Sequence, residues 1–155
     1  MPAPASGFAT FTSSDGVYGL NAPSDWSKTA LNTSPVVNGE IFISADGKSF
    51  FLTMPLSQSL PSDQFGSFVT GFAKGFNATG ATASSGTTST TIGNNTWTEQ
   101  DGTMAIKGVA STVKLYGKAL GANTVLLMSI APAATNDQVT STSFQPMLNS
   151  FTLLK

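Results

Sequence analysis

The sequence predicts an α+β domain built on a central antiparallel β-sheet that is flanked by helices. Three observations support this class: short apolar segments alternate with glycine-containing turns, one aromatic stripe has helical spacing, and a second helical pattern closes the chain. Hairpin-type connections between strands favour an antiparallel sheet over the parallel sheet that a regular βαβ alternation would give. We expect the two helical segments to cover opposite faces of the sheet, as an α/β/α sandwich.

The first two strands are predicted at Phe8 to Thr12 and Val17 to Leu20, on either side of a turn at 13–16. Pro23 ends the second strand, because proline has no N–H to donate to a neighbouring strand. Trp26 follows shortly after it. We expect Trp26 to be a core residue that closes one end of the sheet, since a large aromatic ring stabilises a domain mainly by being buried.

A hairpin is predicted around Asp46-Gly47, which lies between the apolar runs Ile41 to Ala45 and Ser49 to Met54. Both turn residues tolerate the positive φ angles that tight hairpin turns require. Phe50 and Phe51 are neighbours, so they would lie on opposite faces of the second strand. This arrangement predicts a sheet that is covered on both sides.

A helix is predicted to begin at Pro61 to Gln64, where Ser62 can cap the first turn and Asp63 complements the helix dipole. The apolar residues that follow have the spacing of one helical face, and such a stripe is usually packed into a core. Glycines within it weaken the helix, and we expect them to permit a close approach to the sheet. The stripe is Phe65, Phe68, Val69, Phe72 and Phe76, and the glycines are Gly66, Gly71 and Gly75.

The next part of the chain predicts an antiparallel meander. Thr79 to Thr91 is rich in threonine, serine and glycine, and we expect a flexible connection that ends in an edge strand. The final strand of the meander is apolar on both faces, which is typical of a strand inside a doubly covered sheet. Strands are predicted at Thr96 to Gln100, Met104 to Lys118 and Thr124 to Ile130, with turns at 93–95, Asp101-Gly102 and 121–123.

A closing helix is predicted after Pro132, with Thr135 or Asn136 as its cap. Pro146 disrupts a helix interior, so we expect either a kink or a fresh helical turn that begins near Gln145. Phe151 to Leu154 is predicted to be a short final strand or a docked extended tail. The apolar face of this segment consists of Val139, Phe144, Met147, Leu148 and Phe151.

Composition argues against several functions. Charged residues make up 10% of the chain, the net charge is -1, and arginine is absent. Nucleic-acid binding requires a basic patch, so we do not expect it. No apolar run reaches the roughly 20 residues of a membrane-spanning helix. The small, proline-bearing segment 1–7 is predicted to be a linker, either the stub of a tether or a frayed end, before a single domain at 8–155.

Residue types also bear on chemistry. Histidine and cysteine are absent, which removes the commonest general base, the thiolate nucleophile and the usual metal ligands, so we expect no catalytic residue, metal or cofactor. Ser111 and Lys114 have the spacing of a serine–lysine acyl-transfer pair, but in a predicted strand they would point to opposite faces. Glu40 and Glu99 lie at or within strands, and we interpret them as solvated residues because nothing in the sequence places them together.

Three segments of the chain resemble the Mog1/PsbP-like family, particularly its small bacterial lipoproteins. These are the runs Tyr18 to Trp26, Gly93 to Trp97 and Phe144 to Phe151, and the order of predicted elements also agrees. The resemblance implies a central antiparallel sheet between helices. Relatives include a photosystem II extrinsic subunit and a Ran-binding nuclear-import factor, both of them non-enzymatic binding proteins. No functional residue carries over from them.

The leading hypothesis from the sequence is a non-catalytic, extracytoplasmic binding or accessory domain of a bacterium. It would be secreted, or tethered through a lipid on a removed amino-terminal segment, and its partner is an unidentified protein. The first alternative is a carrier of an apolar small molecule or lipid. Eleven phenylalanines and five methionines would line its cavity, although their periodicity favours a filled core. The second alternative is a hydrolase that uses Glu40 or Glu99.

Overall fold

Residues 1–154, which the computed structural model describes, form two antiparallel sheets and a small number of helices. Lys155, the last residue of the predicted domain, lies outside the described residues. The strands are β1 (Phe8–Thr12), β2 (Tyr18–Pro23), β3 (Ser27–Leu31), β4 (Gly39–Ile43), β5 (Phe50–Leu56), β6 (Ala78–Ala83), β7 (Thr88–Ile92), β8 (Asn95–Ile106), β9 (Val109–Leu120), β10 (Asn123–Pro132) and β11 (Thr152–Leu153).

The larger sheet has eight strands in the order β3-β4-β5-β10-β9-β8-β6, and β7 also pairs with β8. The smaller sheet has the order β1-β2-β11. Every pairing in the larger sheet is antiparallel, including the pairing of β5 with β10 that joins the two halves of the chain. The predicted α+β class with an antiparallel sheet is therefore confirmed.

The helices are α1 (Phe65–Gly75), α2 (Asn136–Val139) and α3 (Gln145–Ser150). A 3-10 turn at Ser62–Gln64 leads into α1, and a π-helical turn at Thr140–Phe144 joins α2 to α3. A new helical element, α3, begins at Gln145 as expected, but Phe144 and Gln145 both have helical φ and ψ angles, so the backbone continues into it from the π-helical turn without a break. Pro146 is the second residue of α3.

Strand β10 lies at the centre of the sheet and is buried on both faces, as the sequence predicted. Val125 and Leu127 belong to one core, whereas Leu126 and Met128 belong to the other. Helix α1 covers the second core. The first core is covered by α3, the π-helical turn and strands β1 and β2, which contribute Tyr18 among others. This cover is therefore part helix and part sheet.

Two glycines on adjacent strands leave room for α1 to pack closely against the sheet. A Cβ atom at Gly117 of β9 would overlap the ring of Phe65, and a Cβ atom at Gly102 of β8 would lie 3.2 Å from Cγ1 of Val69. Protein interiors are packed too closely to absorb such overlaps. The missing side chains therefore fix α1 over β8 and β9.

The turn predicted at Asp101-Gly102 is wrong, because both residues lie inside the continuous strand β8. The turn into β9 comes instead at Lys107-Gly108, whose φ angles are 51° and 79°. Positive φ at two successive residues is the requirement of a tight hairpin turn. Gly102 has a different role, since a Cβ there would also lie 2.7 Å from the carbonyl oxygen of Thr82.

One further expectation about strands is wrong, and one strand was missed. The first half of Thr79 to Thr91 is not a flexible connection but strand β6, which pairs with β8 and carries an irregularity between Thr79 and Thr82. Strand β3 was not predicted at all. It is an edge strand whose residues 27–30 are exposed, so it lacks the apolar alternation that identifies a half-buried strand.

The predicted caps do not form either. Neither Ser62 nor Thr135 makes a side-chain capping hydrogen bond. The 3-10 turn supplies one backbone bond in place of a cap, from the N–H of Gln64 to the carbonyl oxygen of Pro61 at 3.0 Å. The helix itself lies where the sequence predicted it.

Trp26, which directly precedes β3, is half-buried at the margin of the first core rather than inside it, and it packs edge-on against Phe144 with ring centroids 5.9 Å apart. Segment 1–7 contains no helix or strand. The amide nitrogen of the Asn21 side chain donates a hydrogen bond of 3.1 Å to the carbonyl oxygen of Pro2, so the beginning of the segment lies against β2. The linker or tether role of this segment stays a prediction.

The close packing of α1 against Gly117 gives a first test. We expect Gly117→Ala to lower the free energy of unfolding by about 1–3 kcal/mol, because the new methyl group overlaps the Phe65 ring. Gly71→Ala is the control, since nothing lies within 4 Å of its Cβ. It should raise stability by about 0.5–1 kcal/mol, because alanine is the better helix former. Urea unfolding measures the stability of both variants. Equal changes in the two variants would contradict the close contact between Phe65 and Gly117.

Candidate functional site

An apolar groove of about 560 Å³ lies between α1 and the end of the sheet formed by β3, β4 and β5. Leu31, Ile41 and Met54 contribute its sheet side, one from each of these strands. Residues 33–36, which connect β3 to β4, form a further part of the wall. The groove follows from the position of α1. Because the helix packs over β8 and β9, it leaves this end of the sheet face partly uncovered.

The helix side of the groove is a row of half-buried phenylalanines. The ring centroids of Phe68 and Phe72 are 6.3 Å apart, and those of Phe72 and Phe76 are 5.4 Å apart, with both pairs stacked. Phe76 also packs edge-on against Phe50 of β5 at 5.0 Å. This contact links the end of the row to the sheet and holds the row in place.

The predicted aromatic stripe is therefore two surfaces rather than one. Phe65 and Val69 are buried beneath the helix, as expected of a core stripe. Phe68, Phe72 and Phe76 are only partly buried and line the groove instead. Sequence reasoning missed this division because both sets have helical spacing.

Gly71 and Gly75 also line the groove, and no heavy atom lies within 4 Å of a Cβ built on either of them. The expectation that they permit a close approach to the sheet is therefore wrong. Gly66 differs, since its Cβ would lie 3.3 Å from that of Ala83. The glycines at 71 and 75 keep the groove open and were the one sequence signal that could have indicated it.

No lining residue of the groove is charged, and its polar side chains are the hydroxyls of Thr33, Ser34 and Ser67. A charged ligand buried there would lose its hydration without gaining an ionic partner, which is strongly unfavourable. The groove is therefore suited to an uncharged, mainly apolar ligand.

The two candidate acids are far apart. Glu40 lies on β4 and Glu99 on β8, so four strand spacings of about 4.8 Å place them roughly 19 Å apart across the sheet. Paired carboxylates of glycosidases are about 5–9.5 Å apart. Burial raises the pKa of Glu40, and the nearby Lys28 opposes this shift. These two acids do not form a catalytic pair.

Glu99 has closer neighbours than Glu40. Its Oε2 lies 3.5 Å from Nζ of Lys114, and its side chain is 15% exposed. Burial raises the pKa of Glu99, Asp101 raises it further, and Lys114 opposes both. The interpretation of Glu99 as a solvated surface residue is therefore wrong, because it belongs to a half-buried charged cluster.

Ser111 and Lys114 lie on opposite faces of β9, as the sequence predicted. Val113 and Leu115, which share a face with Ser111, belong to the core beneath α1, whereas Lys114 reaches Glu99 on the other face. The Ser111 hydroxyl donates a hydrogen bond of 3.1 Å to the carbonyl oxygen of Val109. This pair cannot act together on one substrate.

Two negative findings apply to the part of the chain that the structure describes. Residues 1–154 contain no group of three or more acidic residues that could hold a metal ion. No helix within this range has the length and hydropathy needed to span a membrane.

Comparison with known proteins rests on structure. No protein-family profile matches the sequence, and no curated protein is similar to it at a significant level. Cyanobacterial PsbP (CyanoP) from Synechocystis has a TM-score of 0.65 at 9% identity, over 96% of this chain and 94% of its own. The Ran-binding protein Mog1p of Saccharomyces cerevisiae has a TM-score of 0.57 at 13% identity, over 96% of both chains. The chain has the Mog1/PsbP-like fold.

A third protein with a Mog1/PsbP-like fold is LpqN of Mycobacterium tuberculosis, which is described as involved in cell envelope biogenesis. Its TM-score is 0.55 at 14% identity, over all of this chain and 90% of LpqN. At such identities the likeness establishes the fold and transfers no functional residue. The resemblance noted in the sequence is confirmed at that level.

The charged cluster gives a test of pH dependence. Glu99 has a raised pKa when folded, so the folded chain binds more protons and its stability falls as pH rises through the interval above 4.5. Glu99→Gln should remove this fall. We expect the free energy of unfolding of the variant, minus that of the wild type, to grow between about pH 4 and about pH 7 in urea titrations.

Asp46→Asn is the control for this test. A hydrogen bond from Ser44 lowers the pKa of Asp46 in the folded chain, and the unfolded carboxyl titrates near its ordinary value of about 3.9. Both titrations are therefore nearly complete at about pH 5, and the difference between this variant and the wild type should stay level from there to about pH 7. A difference for Glu99→Gln that is level or shrinks would contradict the burial of this carboxylate.

Proposed function

We propose that this chain is a non-catalytic, extracytoplasmic binding domain that holds an uncharged apolar small molecule or lipid chain in the α1 groove. The observation that carries the proposal is the pair of glycines that line the groove without any packing reason. Gly71 lies in the interior of α1, where glycine costs about 1 kcal/mol relative to alanine, whereas Gly75 is the last residue of the helix. The space left by their missing side chains explains why the helix tolerates that cost.

The size of the groove fits this function. Small-molecule sites in proteins are commonly about 300–1,000 Å³ and mostly apolar, with a few polar groups that orient the ligand. The groove has about 560 Å³ and three hydroxyl side chains among its lining residues. A half-buried row of stacked rings adds a large apolar surface at low entropic cost, because each ring is already held by its neighbours.

The chemistry of the groove supports binding rather than catalysis. Its side chains are aliphatic, aromatic or hydroxyl groups, and none is an ionisable acid or base. A hydroxyl nucleophile needs a neighbouring general base, which these residues do not supply. The roughly 19 Å between Glu40 and Glu99 also argues against the carboxylate hydrolase.

An extracytoplasmic, bacterial location is part of the proposal. It is supported by the low proportion of charged residues and by the likeness to LpqN, a protein of cell envelope biogenesis. We infer that segment 1–7 is the linker between a lipid tether and the domain at 8–155. We also infer that α1, the large sheet and the closing helices form the three layers of an α/β/α sandwich.

The neutral fluorescent probe N-phenyl-1-naphthylamine tests the proposal. We expect its emission to rise saturably with the wild-type protein at about one probe per chain. Gly71→Leu should weaken binding about tenfold or more, because the new side chain enters the groove. The folded state of the variant is checked by its urea midpoint.

Lys74→Leu is the matched control, because it adds the same side chain to an exposed position of α1 outside the lining of the groove. Its probe affinity should equal that of the wild type. Absence of saturable binding, or equal weakening by both variants, would overturn the proposal. Native mass spectrometry of freshly purified protein adds a second readout, since a copurified lipid should be lost in Gly71→Leu.

A further inference from the structure

A second, polar pocket lies on the opposite face of the sheet from the groove. It has a volume of about 150 Å³ and is formed by β7 to β10 together with the π-helical turn and the start of α3. Glu99, Lys114, Tyr116 and Ser129 line its sheet side. They lie on the same face of three adjacent strands, with Glu99 opposite Tyr116 and Lys114 opposite Ser129.

Two nearly buried side chains that line this pocket have hydroxyl groups without a protein partner. Tyr116 is 6% exposed and Ser129 is 5% exposed, and within residues 1–154 neither side chain makes a hydrogen bond. The buried Tyr18 shows the contrast, because its hydroxyl lies 2.6 Å from Oγ1 of Thr53 and 3.1 Å from the carbonyl oxygen of Asn38. The two oxygens are not themselves sealed from solvent, since Nε1 of Trp97 is the one fully buried side-chain N or O atom without a partner within residues 1–154. Both hydroxyls therefore open into the pocket, where they are available to a ligand.

The charges around the pocket favour a cation. Glu99 and Asp101 share a face of β8, and Lys114 is the register partner of Asp101 on β9. Asp101 lies outside the lining, whose charged residues are Glu99 and Lys114. With Asp101 included, two carboxylates and one ammonium leave one net negative charge beside the pocket. Lys114 lies 3.5 Å from one of the two Glu99 oxygens, and a carboxylate offers about four acceptor sites in all. Glu99 therefore keeps acceptor capacity for a second cation.

The pKa of Tyr116 agrees with a negative electrostatic potential at the pocket. Burial raises the pKa of the Tyr116 hydroxyl, and Glu99 and Asp101 raise it further. Both carboxylates therefore contribute a negative potential at the Tyr116 hydroxyl. Tyr116 stays protonated, and its oxygen accepts a hydrogen bond through a lone pair.

Apolar residues complete the pocket. Ile92, Phe144 and Leu148 belong to its lining, and they suit methylene groups better than the hydration shell of a metal ion. The helix also changes to π-helical hydrogen bonding at Thr140–Phe144, where it lines the pocket. Turns of this kind occur frequently at functional sites.

We infer that this pocket binds the ammonium group of a small alkylammonium ligand. An ammonium carries three N–H donors, and the pocket offers three acceptors: the Glu99 carboxylate and the hydroxyl oxygens of Tyr116 and Ser129. The short alkyl chain packs against Phe144 and its apolar neighbours. The site is independent of the groove, since the two lie on opposite faces of the sheet.

Ethylammonium chloride is the probe, titrated into ¹⁵N-labelled protein and followed by two-dimensional NMR. We expect saturable shifts confined to β7–β10 and residues 140–145. Glu99→Gln should raise the dissociation constant about tenfold or more, because it removes the charged acceptor. Tyr116→Phe and Ser129→Ala should each raise it severalfold, because each removes one neutral acceptor.

Glu40→Gln is the matched control, since Glu40 is a half-buried glutamate on the same face about four strands away. Its dissociation constant should equal that of the wild type. Potassium chloride and ethanol are the ligand controls, at matched ionic strength, and neither should saturate the same resonances. Saturation by potassium chloride or ethanol, absence of saturation by ethylammonium, or an unchanged Glu99→Gln variant would overturn the inference.

The chemical-shift dispersion of each variant spectrum shows whether the variant is folded. If the Glu99→Gln spectrum is not dispersed, Ser129→Ala serves as the test variant instead. Binding of N-phenyl-1-naphthylamine should be unaffected by ethylammonium. If ethylammonium does not bind, the proposal of an apolar ligand in the groove still stands. If the fluorescent probe does not bind, the inferred ammonium site still stands.

Discussion

The contact between the Phe65 ring and the bare backbone of Gly117 is the constraint on which the rest of this face depends. With Val69 seated over Gly102 in the same way, α1 is fixed over β8 and β9. A helix is only about 10 Å wide, so it cannot also cover β3 and β4 at the other end of an eight-stranded sheet. The uncovered end, together with the outer phenylalanines of α1, becomes the groove.

The two faces of the sheet differ in how their cover is built. One face is completed by a second sheet and the closing helices, so Phe51, Trp97 and Leu127 are almost wholly buried there. The other face has a single helix, and its apolar surface exceeds what that helix can cover. Strand β10 separates the two faces because its successive residues belong to different cores. The filled core and the groove therefore coexist in one small domain.

Periodicity and turn chemistry predicted much of the fold, but they could not assign a reason to each glycine. Asp101-Gly102 reads as a turn, because these residues tolerate positive φ, yet Gly102 is needed for the contact with Val69. Strand β3 escaped prediction because an exposed edge strand carries no apolar alternation. The groove escaped because Phe65 and Phe68 obey the same helical spacing, and only the position of α1 decides which of them is buried. The ionic neighbours of Glu99 depend on strand register, which pairs β8 with β9.

The groove as a ligand site is the central claim, and intermolecular nuclear Overhauser effects test it most directly. The measurement uses ¹³C-labelled protein with a saturating amount of unlabelled 1-dodecanol, an uncharged chain. The account predicts contacts from the methylene protons of the alcohol to the rings of Phe68 and Phe72 and to the methyl group of Met54. Contacts to Phe11 or Trp26 on the opposite face instead, or no intermolecular contacts at all, would contradict it.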